Sequence, residues 1–490
     1  MKKYAVALML ALMLVVPVVV SAAPLLQGQD YVVQADDWLS KLSEKFLGDP
    51  LGYPAITYYT NQKNAQDESY AKISDSNVIE IGWKIYIPTQ EEAQAYVSGG
   101  AERIGSGAVK IGAVVPLSAP GSVTGGEAMK AALEIALEEI NAAGGVLGQQ
   151  VELVVADTEG LPERGAAQME RLVSQEGVVG VVGEYHSAVA LAEMEVAKAN
   201  NVPVIFAETW SDKITESQYP QIFRIAPLSS LTGDTFVNFM ESIGVKKAVL
   251  MTENTSYGLE QADIIAQLAD QRGIQTVTFS ADIGTQDFSG IIERIKAETP
   301  GLIFVSVTGE ASYNFEQQAA EAGIGPQNLP MLCNQAAGDS EAFWSNVPDG
   351  NLCIYTRIGL PRPLYTDATL AFIDKYRAKT GKAEAESYAM EAYDSLKLMA
   401  EAINAAGATD GDALIKALEN ISYTGTLGKI TFPYGAANPI PAGTPAKWWH
   451  QFPDPAITLV QYQQVGQDSA DAPVVYPETY RTADPILAGR

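Results

Sequence analysis

Histidine and cysteine are nearly absent from this chain, with two of each among 490 residues. His186 and His450 stand far from Cys333 and Cys353 in sequence, so no metal-ligand spacing is available and no metal is expected. The same scarcity removes the nucleophile–base pairs that hydrolases need, and no Gly-x-Ser-x-Gly elbow replaces them. Asp157 and Glu159 alternate at a strand end and fit a solvated loop better than a glycosidase pair. An enzyme is not expected, nor is a cofactor. Positive charge is also short: 32 Lys and Arg against 59 Asp and Glu, net −27. That surface repels phosphate backbones and anionic lipid, so no nucleic-acid partner is expected. The segment beyond Gln463, rich in Asp, Ala and Pro, lacks the apolar run that a membrane-anchored sensor would need.

What is present begins with an export signal. Lys2 and Lys3 precede a nearly continuous apolar stretch, Tyr4 to Val20, and Val20-Ser21-Ala22 supplies small residues for cleavage after Ala22. Pro17 interrupts the stretch, which is short for a membrane span. No cysteine follows it, so a lipid anchor is not expected and the protein is placed outside the cytoplasm, in the cell envelope. There Cys333 and Cys353 can oxidise; their spacing leaves a bond open.

The remaining length has room for two or three domains. Residues 29–89 read as a small α+β module. A strand at Tyr31-Val-Val-Gln leads through Asp37-Trp-Leu to a helix with Leu39, Leu42 and Phe46 on one face, then to a second amphipathic stretch through Ala55, Ile56 and Tyr59 to Asn61. It closes with Ile81-Gly-Trp-Lys-Ile-Tyr-Ile-Pro88. Residues 90–107, with Gly99-Gly100 and Gly105-Ser-Gly107, read as a linker. From Val109 the pattern is α/β. Apolar runs at 109–117, 151–156, 178–182 and 202–206 alternate with helical stretches, and the rhythm restarts at 248–252, 277–280, 302–307, 331–333 and 352–355. Two doubly wound lobes with parallel-sheet cores are predicted, facing each other across a ligand cleft.

Polar clusters recur just past the strands. Ser118 to Gly126, with Ser122, follows the first; Glu184-Tyr185-His186-Ser187 the third; Glu208-Thr209-Trp210-Ser211 the fourth. In the second half Glu253 to Tyr257 and Thr308-Gly-Glu310 occupy equivalent places. Open parallel sheets bind ligands at such strand ends, where helix N-termini present free N–H groups.

Two resemblances follow from these residues. The order Tyr31-Val-Val-Gln, Asp37-Trp-Leu, Asn61 and Ile81-Gly82 to Ile85-Tyr-Ile-Pro88 resembles the lysin-motif domain, which implies binding of N-acetylglucosamine polymers such as peptidoglycan. The stretch between Asn61 and Val78 is longer than usual there. Val109-Lys-Ile-Gly-Ala-Val-Val-Pro-Leu-Ser118, Ile140-Asn-Ala-Ala-Gly-Gly-Val-Leu-Gly148, Asp157, Gly180-Val-Val-Gly183 with Ser187, Val202-Pro-Val-Ile205, Tyr257-Gly258 and Asp287-Phe-Ser289 resemble the solute-binding proteins of the branched-chain amino acid ABC-transporter family. That likeness implies a periplasmic-binding-protein type 1 fold, with lobe 1 over 108–228 and 358–425, lobe 2 over 229–357 and 426–465, and a tail over 466–490. It also implies an ABC permease partner and a small polar solute.

The resemblance assigns roles residue by residue. Ser187 and its helix N-terminus would hold a ligand carboxylate, the Thr209 to Ser211 turn would converge on the same group, and Tyr257 would cover the ligand from lobe 2. Trp210 is unusual in that turn and would narrow the site. Gln335 stands where amino-acid binders of the family place an acid for the ligand ammonium, and a neutral amide cannot supply that charge. Glu184, Glu208 or Glu310 could replace it. The ligand is expected to be amino-acid-like; a neutral amide or other small polar solute, or a sensing role, is the alternative.

Overall fold

The computed structural model of the chain describes residues 28–35, 37–48, 52–64, 67–73, 79–90, 92–93 and 108–488. The expected signal segment and most of the expected linker lie outside these residues. The chain divides into two units, 1–105 and 106–490, taken separately below.

In the first unit, β1 (Gln29–Val32) pairs antiparallel with β2 (Lys84–Ile87), and the helices Leu39–Leu47 and Tyr53–Asn64 come between them in sequence. Leu39, Leu42, Ile56 and Tyr59 are buried with Ile85 and Ile87, because helical spacing on one side meets strand alternation on the other. The Asn61 amide accepts from Ile73 N and donates to Ile73 O, both at 2.8 Å, and so pins the long segment before β2. Trp38 and Ile81 remain exposed.

Lobe 1 of the second unit is a five-stranded parallel sheet. β3 (Val109–Val115), β4 (Val151–Asp157), β5 (Val181–Gly183), β6 (Val204–Phe206) and β7 (Ile222–Arg224) lie in the order β4-β3-β5-β6-β7. β3 is buried along nearly its whole length, as its unbroken apolar run requires of a strand covered on both faces. Lobe 2 contains β8 (Lys247–Glu253), β9 (Gln275–Ala281), β10 (Leu302–Ser306), β11 (Met331–Leu332) and β12 (Ile354–Ile358), all parallel. The two-lobed α/β architecture agrees with the sequence expectation.

The C-terminal third departs from it. β13 (Ser422–Gly425) and β14 (Gly428–Thr431) form a hairpin whose Thr426 and Leu427 amides donate to the buried carboxylate of Asp394, in the lobe 1 helix Ser387–Ala406. His450 stacks on Phe223 at 4.0 Å, and Gln451 bridges in parallel to Arg224 at the edge of β7. Residues 426–452 therefore extend lobe 1, where a lobe 2 segment was expected. Only at β15 (Ile457–Gln461) does the chain rejoin lobe 2, antiparallel to β12, and β16 (Val474–Tyr476) pairs with β15 inside the expected tail. The cause is local: both strands are short, five and three residues, and pair antiparallel, outside the parallel strand–helix rhythm that located the others. Cys333 and Cys353 are bonded, with Cα atoms 5.9 Å apart. Among the described residues no helix is long and apolar enough to cross a membrane.

Candidate functional site

A cavity between the lobes encloses about 490 Å³ of empty space, open solvent at its mouth included. Lobe 1 contributes Tyr185, His186, Ser187, Glu208 and Trp210 from the loops after β5 and β6. Lobe 2 contributes Phe236, Tyr257, Phe304, Thr308, Asn334, Gln335 and Thr356. The strand-end placement follows from parallel topology, which directs each βα loop to the same edge of the sheet.

Around Ser187 the cavity is built to donate. Ser187 opens the helix Ser187–Asn200; Val189 N and Ala190 N donate to His186 O at 3.0 Å, which leaves the Ser187 and Ala188 N–H groups as the donors of the first turn. Its hydroxyl accepts from Trp210 N at 2.9 Å and Ser211 N at 3.2 Å. With both lone pairs filled, its own proton is left to donate. His186 Nε2 accepts from Ser122 N at 3.0 Å, and burial lowers that imidazole to about 4, so it stays neutral.

A carboxyl, Glu208, also lines the cavity. Glu208 is buried, which raises it to about 7. The Glu391 carboxyl, from the middle of the helix Ser387–Ala406, faces it together with the Gln335 amide and Trp210 indole. They stop short of bonding geometry: Glu208 Oε2, both Glu391 oxygens, Gln335 Nε2 and Trp210 Nε1 are buried and unpaired. Burial, then the charge of Glu208, pushes Glu391 well above the carboxylate range. Trp210 meets Tyr257 edge to face at 6.3 Å across the cleft. Glu253 is raised by its burial and accepts from Thr308 N at 3.0 Å, which orients Thr308 at the wall.

Other residues expected at the site lie elsewhere. Glu184 turns its carboxylate into its own loop, accepting from Tyr185 N at 2.9 Å and His186 N at 2.7 Å, with φ at +60°. Burial raises it to about 7, but it does not line the cavity. Ser118 bonds to Asp157 in the loop after β3. Ser122 and Thr209 lie behind the wall with their hydroxyls buried and unpaired, and Ser211 Oγ donates to Glu260 Oε2 of lobe 2 at 2.6 Å. Asp157 accepts from Leu117 N and Glu159 N, and Glu159 pairs with Arg164, so both acids serve loops.

Glu310, the third candidate for an ammonium partner, closes the cleft instead. From lobe 2 it accepts from Val123 N at 3.2 Å, Thr124 N at 2.9 Å and Thr124 Oγ1 at 2.8 Å, at the start of the lobe 1 helix Val123–Ala142. The carboxylate sits where the helix dipole favours an anion. Gly309 admits this approach, since a Cβ there would come 2.8 Å from Ser122 Cα. Substituting Glu310 by alanine removes three charge-assisted bonds and is expected to weaken ligand binding about tenfold through loss of the closed form. Calorimetry with small-angle scattering checks this, by a raised Kd and a larger ligand-bound radius of gyration.

Phe236, Phe304, Thr356 and Glu391 were not anticipated. The first three occupy a helix or strand interior, where pocket lining and core read alike. Glu391 did carry a signal, as an acid within an otherwise buried helix.

Comparison with known proteins places this geometry. A family profile described as "Periplasmic binding protein" matches residues 108–439. A "Leu/Ile/Val-binding protein homolog 7" of Brucella abortus is 26% identical over 343 residues, covering 67% of this chain and 84% of the relative. An "Amino acid binding protein" of Pseudomonas aeruginosa is 26% identical over 299 residues, covering 60% and 78%. Among solved structures, a leucine-binding protein of Thermotoga maritima superposes with TM-score 0.64 at 21% identity, covering 73% of this chain and 96% of its own. An ABC-transporter solute-binding protein of R. palustris in complex with benzoate gives 0.64 at 20%, covering 78% and 99%. These structural likenesses establish a shared fold.

Proposed function

This chain belongs to the periplasmic binding protein family, and on that premise we propose that it captures a small amino-acid-like solute by lobe closure for an ABC importer. The family consists of binding proteins, in line with the expectation that the chain is not an enzyme. One observation carries the ligand reading: the lining of one cavity combines the Ser187 hydroxyl and helix N-terminus with the Glu208 carboxyl. The first suits a carboxylate and the second an ammonium. Glu208 lines the cavity where Glu184 and Glu310 do not, so it takes over the role that Gln335 cannot fill. Mass spectrometry of the solute released from gently purified protein tests this; a retained amino acid is expected, and a retained sugar or nucleoside would sink the reading.

A second reading has its own support. Glu208 raised to about 7 is a hydrogen-bond donor at lower pH, and beside it Gln335 Nε2 and Trp210 Nε1 stand unpaired. That set also suits a neutral amide, whose carbonyl would accept from the two N–H groups. Calorimetric titration with amino acids and with their primary amides separates the two.

We also propose that residues 29–89 are a lysin-motif-like module tethering the protein to peptidoglycan, and that delivery is to a membrane permease. The strand–helix–helix–strand order and the exposed Trp38 and Ile81 support the tether. Sedimentation with insoluble peptidoglycan should retain the full chain and release a chain beginning at Ala108; equal retention would remove the tether.

A further inference from the structure

Arg224 is fully buried at the end of β7, yet no carboxylate lies within ion-pair distance among the described residues. A buried cation is normally neutralised by an acid. Here Asp212 and Glu260 act on it only by charge, from beyond ion-pair distance, and its bonds go to uncharged oxygens. Its Nε donates to Gln451 Oε1 at 2.6 Å, Nη2 to Thr215 Oγ1 at 3.0 Å, and Nη1 to both Thr209 O, at 3.1 Å, and Ser211 O. The positive charge is held against the back of the loop that lines the cavity.

The two backbone carbonyls belong to peptide units whose N–H groups point the other way. Thr209 O shares its peptide with Trp210 N, which donates to Ser187 Oγ at 2.9 Å. Ser211 O shares its peptide with Asp212 N, which donates to Glu260 Oε1 of lobe 2 at 2.8 Å. A guanidinium on a carbonyl oxygen strengthens the donor at the far end of that peptide, because bonded dipoles in a low-dielectric interior polarise one another. We propose that Arg224 is a positioning residue that polarises both peptides at once, so that one buried cation sharpens the anion-binding hydroxyl of Ser187 and tightens the cross-cleft bond to Glu260. Ligand capture and lobe closure thereby share a common source of positive potential.

Arg224 is also tied to the chain segments that join the lobes. Its amide donates to His450 O at 3.0 Å, and its carbonyl accepts from Phe452 N at 2.9 Å. The Gln451 amide donates to Ala226 O and Phe452 O, both at 2.8 Å. Two of the passages between lobes thus run through the residues that hold the guanidinium, which fixes it relative to the hinge.

The inference rests on the reading that Ser187 holds a ligand carboxylate, and its test separates the two. L-leucine and benzoate are titrated calorimetrically into the full chain, and R224K and R224Q are compared. A unit charge acting across one peptide at an effective protein dielectric predicts about a thirtyfold loss of carboxylate affinity in R224Q and less than about fivefold in R224K, which keeps the charge. A packing role would make the two variants equal and overturn the proposal. Without ligand, a double-mutant cycle with E260Q followed by thermal unfolding should be non-additive by about 2 °C with R224Q and clearly less so with R224K, although Arg224 and Glu260 share no bond. An additive cycle also overturns it. If the wild type binds neither probe while the cycle is non-additive, Arg224 keeps its role and the ligand reading falls. If the probes bind, R224Q is unchanged and the cycle is additive, the reverse holds. Should R224Q not fold, Q451E sets a carboxylate on the guanidinium Nε and takes its place in both measurements.

Discussion

Replacing Glu208 by glutamine should weaken amino-acid binding about 100-fold, the scale of removing one partner from a desolvated charge pair. It should also abolish the pH dependence of binding. In the wild type the empty site holds Glu208 near 7 because the carboxyl is buried. An ammonium ligand binds the ionised form, so below pH 7 each ligand must first displace a proton. Affinity should therefore fall about tenfold per pH unit from 7 towards 5 and level off above 7. E208Q should give a flat profile at the weaker value, while a neutral amide probe should bind it as well as the wild type. The Glu391 carboxyl and the Tyr185 and Tyr257 hydroxyls also face Glu208; burial holds Glu391 well above the carboxylate range and raises both tyrosines, so neither tyrosine titrates in this window. Calorimetry from pH 5 to 8 in buffers of differing ionisation enthalpy reads both affinity and proton release. A wild-type profile that rises towards acid would reject the ammonium assignment and favour the neutral ligand.

The double variant C333S/C353S should lose about 3 kcal/mol of unfolding free energy, as expected for opening a loop of this length. The bond spans 20 positions, from the end of β11 to the residue before β12. Denaturant unfolding of oxidised and reduced protein measures it, and the reduced wild type should match the double variant. The effect reaches the ligand because Cys333 lines the cavity beside Asn334 and Gln335. With the bond open, that wall must be ordered on binding, and Kd should rise together with the loss of stability. Equal midpoints for oxidised and reduced protein would show that the bond adds nothing.

The fold was legible where strands are continuous apolar runs. β3, β8 and β10 are such runs, each followed by a helix with one apolar face, and each lies where its sequence placed it. β7 was not, because three residues show no period and one of them is a buried arginine whose partners come from 209–215 and 451. The assignment of 426–452 to lobe 1 was hidden for a similar reason: it depends on Asp394 gripping the hairpin and Phe223 stacking on His450, contacts between distant segments. At the site, polar loops after apolar strands announced Ser187, Trp210 and Tyr257. Sequence could not aim the three acids, however. Glu184, Glu208 and Glu310 look equivalent as strand-end carboxyls, and only packing separates a loop brace, a cavity wall and a clasp between lobes.

The return of the chain to lobe 2 at β15 and β16 has a consequence for biogenesis. The seven-stranded sheet is built from two stretches far apart in sequence, and its last members come from residues 457–476. During synthesis β12 presents an open edge until β15 arrives, and an exposed edge is a template for pairing with other chains. Lobe 1 likewise waits for residues up to 452. Neither lobe is complete before residue 452 has emerged, which predicts slow folding and a nascent chain that depends on protection from self-association until β16 is made.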